Sequence, residues 1–154
     1  MSANERLSAI ASHIQDTPIA NTMSSSTEKP YITCHVLDTV SGKPAAGISV
    51  SLELLEPELN TRGGWTARTN SDGRVTAWDG DTEVNNSVEK IRQASTAVNE
   101  LSMWRLTFET EAYYGKGNTF WPQVKLEFSA KMSEEHYHVP LLLGPWSYTT
   151  YRGS

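Results

Sequence analysis

Five stretches of this sequence alternate apolar and polar residues with a period of two, and that pattern hides its apolar side only as a strand with one buried face. Ile32, Cys34 and Val36 share one side of the first stretch, and Ile48, Val50, Leu52 and Leu54 one side of the second. Trp104, Leu106 and Phe108 make a third face. Val124, Leu126 and Phe128 make a fourth, with Lys125 and Glu127 turned away, and Tyr137, Val139, Leu141 and Leu143 make a fifth. Turn signals separate them: Ser41-Gly42-Lys43-Pro44, Gly63-Gly64, Ser71-Asp72-Gly73 and Gly144-Pro145. Short alternating strands with regular turns predict an all-β chain folded as an antiparallel β-sandwich.

The aromatic residues show where that unit begins. Five Trp, six Tyr and three Phe all lie from Tyr31 onward, and none lies in residues 1–30. Aromatics supply much of the buried area of a core. Residues 1–30 therefore read as a flexible leader ending in the small, polar run Asn21–Pro30, and residues 31–154 as one domain of ordinary size. One stretch breaks the period of two. Val84, Val88, Ile91, Ala94, Val98 and Leu101 recur every three or four residues. They predict an amphipathic helix, inserted over about 81–101 between two strands and capped by Asn85, Asn86 or Ser87.

Composition removes several classes of function. Thirteen Lys+Arg against 18 Asp+Glu give a net charge of −5, which argues against a general binder of nucleic acid or of anionic membranes. No apolar run is long enough to span a membrane. The single Cys34 forms no internal disulfide, which favours a reducing, cytoplasmic-type compartment. By periodicity Cys34 points into the core, so it is read as packing and not as a nucleophile.

Chemistry is expected where the alternation carries unusual residues. His35 lies opposite Ile32, Cys34 and Val36, beside Thr33 and Leu37. His136 and His138 lie opposite Tyr137, Val139 and Leu141, beside Pro140 and Leu142. A solvated face would be charged, whereas a half-apolar face suits coverage by a partner. Histidines fixed in such a place are prepared for acid–base work, although ordinary exposed or interface histidines fit the pattern as well. His136 and His138 with His35 could also hold zinc, but no Cys pair or flanking acid accompanies them. Arg74 leaves the tight turn Thr69-Asn70-Ser71-Asp72-Gly73 in a fixed direction, either as a surface side chain or as a fork for the oxygens of a small anion. Tyr151 and Arg152 stand near enough to the end of the chain to form a pocket wall. No Gly-x-Ser-x-Gly elbow, phosphate loop or acidic metal cluster is present, which favours direct attack by water over a covalent route.

Five motifs together resemble the 5-hydroxyisourate hydrolases, the transthyretin-related enzymes of urate breakdown. They are Ile32-Thr33-Cys34-His35-Val36-Leu37-Asp38, Gly42-Lys43-Pro44-Ala45, Thr69–Arg74, His136–Leu143 and Tyr151-Arg152-Gly153-Ser154. The resemblance covers nearly all of 31–154. It implies a transthyretin-like sandwich of two four-stranded sheets with a short helix. It also implies a homotetramer, a dimer of dimers with active sites between the dimers. The implied reaction is hydrolysis of the N1–C6 amide of 5-hydroxyisourate to 2-oxo-4-hydroxy-4-carboxy-5-ureidoimidazoline, with no metal or cofactor. Carried over by motif, His35, Arg74, His138 and Ser154 are catalytic. His35, Arg74 and Tyr151 bind substrate, and His136 and Arg152 support them. The expected mechanism has His138, oriented by His35 or by the tail, activate water while Arg74 steadies the oxyanion. Two departures stand out: the insertion, where the family usually has a short link, and Gly144-Pro145 in place of Ser-Pro.

Two rival expectations use the same residues: a transthyretin-like carrier of a small ligand without catalysis, and a metal-dependent hydrolase built on His35, His136 and His138. In the leader, Arg6-Leu7, five residues and then His13-Ile14 resemble a type 2 peroxisomal targeting signal, and no secretory signal is evident.

Overall fold

In a computed structural model, residues 30–56, 64–80 and 101–154 are described. The leader lies outside them except for Pro30, and so does the expected insertion helix except for Leu101, which opens a strand. Among the described residues ten strands and one short helix follow in chain order. They are β1 (Ile32–Asp38), β2 (Lys43–Pro44), β3 (Ser49–Glu56), β4 (Gly64–Arg68), β5 (Arg74–Val75), β6 (Asp79–Gly80), β7 (Leu101–Phe108), α1 (Thr110–Tyr114), β8 (Val124–Lys131), β9 (Tyr137–Leu143) and β10 (Tyr148–Thr150).

The strands form two sheets. Sheet A runs β10-β9-β1-β2 with β5 also on β1, and sheet B runs β6-β4-β3-β7-β8. The sandwich is as predicted, but among the described residues each sheet has five strands where four were expected. The additions are two-residue strands. The free edge of β1 is divided between β5, opposite Cys34 and His35, and β2, opposite Leu37 and Asp38. The sheets are also not wholly antiparallel, because β1 pairs with β9 in parallel over seven residues. The two can run side by side because the chain between them makes its crossover through sheet B.

Periodicity placed the core correctly. Ile32, Cys34, Val36, Leu141 and Leu143 from sheet A meet Val50, Leu52, Trp104, Leu106, Phe108 and Val124 from sheet B, all buried. Each full burial of a large apolar side chain contributes about 1.5–3 kcal/mol. The polar groups drawn inside are paired: Trp104 Nε1 donates to Ser102 Oγ at 2.8 Å, and Ser102 Oγ donates to the Ala130 carbonyl at 2.9 Å. The helix α1 secures one end of sheet A. Tyr113 and Tyr114 donate their hydroxyls to the Asp38 carboxylate at 3.2 and 3.1 Å. Burial alone would raise the Asp38 pKa, but hydrogen bonds from Val40, Ser41 and Tyr114 outweigh it and hold the carboxyl below its ordinary value.

Candidate active site

Strand alternation sends Thr33 and His35 of β1, and His138 and Pro140 of β9, to the outer face of sheet A. The parallel register sets Thr33 beside His138 and His35 beside Pro140. On the other side of β1, antiparallel pairing with β5 sets Arg74 directly opposite His35.

The turn before β5 fixes Arg74. Asn70 Oδ1 accepts from the backbone N–H groups of Asp72 and Arg74, both at 2.9 Å, and the Arg74 carbonyl accepts from Asn70 N–H at 2.9 Å. Gly73 takes φ = +69°, and a Cβ there would run into the Val36 carbonyl. The turn therefore sits tight on β1, and Gly73 O accepts from Val36 N–H at 2.8 Å.

The three histidines form a row. The His35 and His138 rings are stacked with centroids 6.5 Å apart, and the His136 and His138 rings with centroids 6.4 Å apart. Rings in this order present faces to one another. Among the described residues no three His, Cys, Asp or Glu side chains converge as metal ligands.

The tail closes one side. Gly153 pairs with His138, donating its N–H to the His138 carbonyl at 2.9 Å. A Cβ at Gly153 would lie 2.7 Å from His138 Cδ2, so only glycine lets the backbone pass this close to the ring. Ser154 reaches a groove of about 660 Å³ that is also bordered by Thr33, Arg74, His136 and His138. Arg152 points elsewhere: its guanidinium meets Glu134 at 2.6 Å and lies 5.1 Å from the centre of the Tyr137 ring, clamping the tail to the turn before β9. Tyr151 is 58% exposed and does not border the groove of the single chain.

Electrostatics favour neutral imidazole at His35. Partial burial lowers its pKa first and the Arg74 cation lowers it further, against the raising effect of Asp72. Cys34 borders the groove from below, but its side chain is fully buried and burial pushes the thiol pKa up to about 12. It is packing, as its phase in β1 predicted.

Residues 32–153 match the model of the HIUase/Transthyretin family. The chain belongs to that family. It is 40% identical over 131 residues to the 5-hydroxyisourate hydrolase of Deinococcus radiodurans, covering 81% of this chain and 97% of the relative. It is 36% identical over 134 residues to the 5-hydroxyisourate hydrolase of Mus musculus, covering 83% and 98%. The solved structure of the Klebsiella pneumoniae 5-hydroxyisourate hydrolase superposes with a TM-score of 0.55 at 26% identity, covering 80% of this chain and 98% of that one.

Within this member of the HIUase/Transthyretin family, motif reading missed two groups that touch the histidines. Thr33 Oγ1 lies 2.9 Å from His138 Nδ1 and 3.4 Å from His136 Nε2. The Pro30 carbonyl lies 2.7 Å from His136 Nδ1. The available signal was the phase of β1, which puts Thr33 on the same face as His35. Nothing in the sequence announces a backbone carbonyl.

Proposed function

We propose that this chain hydrolyses 5-hydroxyisourate in urate breakdown, using water activated by histidine in the groove on sheet A. The observation that carries the reading is the convergence of His138, Arg74 and Ser154 on one groove, with His35 beside Arg74, in a chain whose family relatives bear that enzyme's name.

His138 takes a proton from water as the water oxygen adds to C6 of the substrate. The C6–N1 bond then breaks, and the departing nitrogen receives the proton from His138. Arg74 faces the substrate oxygens and stabilises the oxyanion, while neutral His35 orients water or substrate beside it. Ser154 closes the groove, and Tyr151 reaches substrate from the tail once the assembly forms. Base catalysis typically contributes about 10²–10⁴ in rate, and oxyanion stabilisation about 10²–10³.

The test generates 5-hydroxyisourate in place with urate oxidase and follows its ultraviolet decay after chelation of metals. Faster decay with the protein supports the reading. Decay at the spontaneous rate overturns it and leaves the carrier, and activity abolished by chelation points to a metal enzyme.

The same reading includes a homotetramer with sites between dimers. Its support is the half-apolar outer face of sheet A, with Leu37 and Leu142 half-buried, together with Phe120 and Trp146 at 66% and 69% exposed. Light scattering should give a four-chain mass, and a fully active monomer would contradict it. Arg6, Leu7, His13 and Ile14 are proposed as a peroxisomal address, so a fluorescent fusion should enter peroxisomes and an Arg6→Ala, His13→Ala fusion should not.

A further inference from the structure

The hydrogen bonds around Thr33 have only one polarity that leaves His138 able to act as a base. A carbonyl only accepts, so the 2.7 Å contact with Pro30 O places a hydrogen on His136 Nδ1. Neutral His136 then carries its lone pair on Nε2, which faces Thr33 Oγ1 at 3.4 Å. A hydroxyl has one hydrogen. If Thr33 donates it to His136, the Thr33 oxygen accepts from His138 Nδ1–H at 2.9 Å, and the lone pair of neutral His138 falls on Nε2. The opposite polarity would give His138 the Nε2–H form, which is the form free histidine favours, and would leave the His136 lone pair facing the lone pairs of Thr33.

We infer that Thr33 and His136 are positioning residues that set the tautomer of His138, through the chain Pro30 carbonyl, His136, Thr33 hydroxyl, His138. Thr33 is buried at 8% exposure, so water competes poorly for its hydroxyl. The parallel register between β1 and β9 brings the hydroxyl to the ring. When His138 becomes cationic after taking the proton from water, Nδ1–H continues to donate to Thr33, and the ring does not turn between accepting the proton and returning it. The chain thus replaces the expected orientation of His138 by His35 or the tail with orientation by the neighbouring strand. The inference rests on the hydrolase reading for its consequence in catalysis, whereas the tautomer itself is measurable without substrate.

Imidazole nitrogen NMR of the wild-type protein should show neutral His138 in the Nδ1–H form. Thr33→Val keeps the shape and removes the hydroxyl. It should move His138 toward the Nε2–H form and lower kcat about 10- to 100-fold, part of what a positioned base supplies, with KM changed little. Thr33→Ser, which keeps the hydroxyl, should restore both the tautomer and most of kcat. His136→Phe keeps an aromatic ring without the acceptor and should move the tautomer as Thr33→Val does. An Nε2–H form of His138 in the wild type overturns the inference, as does a folded Thr33→Val protein with wild-type kcat. A wild type that does not accelerate 5-hydroxyisourate decay but has the Nδ1–H form, lost in Thr33→Val, would overturn the hydrolase reading and support the relay.

Discussion

The two sheets share one core and differ on their outer faces. Sheet B presents a polar ladder to solvent. Arg105 at its centre meets Glu127 on β8 at 2.6 Å and Glu53 on β3 at 3.6 Å, with Ser51, Thr107 and Lys125 alongside. The Arg105 charge is used on the two carboxylates. Sheet A presents Thr33, His35, Leu37, His138, Pro140 and Leu142, with Arg74 as the guanidinium beside His35. Similar strand geometry therefore yields a solvated surface on one side and a histidine-lined groove on the other. The difference is that sheet A sets imidazole rings against the Thr33 hydroxyl, the Pro30 carbonyl and the Arg74 guanidinium.

Substitutions on the two faces should accordingly have unequal consequences. Arg74→Gln should lower kcat/KM about 10²–10³-fold, the usual loss of one oxyanion donor. It should also raise the His35 pKa toward the ordinary value, because one of the two lowering influences is removed. Steady-state kinetics and a histidine NMR titration read the two effects. The depressed His35 pKa has a definite sign in stability. As pH falls through 6.5 the unfolded chain takes up the proton before the folded one, so stability declines toward the lowered folded pKa and is regained above 6.5. Denaturation midpoints against pH should therefore slope more steeply in the wild type than in His35→Asn below neutrality.

Leu106→Ala, in the core shared by both sheets, should cost about 2–5 kcal/mol of stability through lost burial and a residual cavity. Denaturant titration checks this, and the fraction that remains folded should turn over substrate near the wild-type rate. Arg105→Gln should have the smallest effect, because the pair it breaks faces water and is screened by solvent. Turnover should be unchanged and the thermal midpoint scarcely moved. A large loss of activity from Arg105→Gln would erase the distinction between the faces.

Most of the core and half of the site were legible from alternation alone. The phase of β1 and β9 puts Ile32, Cys34, Val36, Val139 and Leu141 inside and both site histidines outside, because the period of two is a local property of each strand. The turn Asn70–Gly73 was legible because its residue types state their geometry. Its partner was not. β5 has two residues, too few to show a period, so pairing of Arg74 with His35 follows only from the assembled sheet. Parallel pairing of β1 with β9 is equally invisible, since pairing over a hundred residues of chain leaves no local trace, and with it goes the contact of Thr33 with His138. Composition groups Pro30 with the leader, whereas its carbonyl holds His136. The helix α1 spans five residues, and its Tyr113 and Tyr114 serve Asp38 by hydroxyl contacts that no periodicity encodes.

In the proposed function the histidine face of sheet A performs the hydrolysis. The most direct test is the decay rate of freshly generated 5-hydroxyisourate in the presence of His138→Asn, compared with wild type at equal concentration and equal fold content. The substitution should lower the acceleration about 10²–10⁴-fold, the range expected for a general base. Undiminished turnover by His138→Asn would contradict the proposed function.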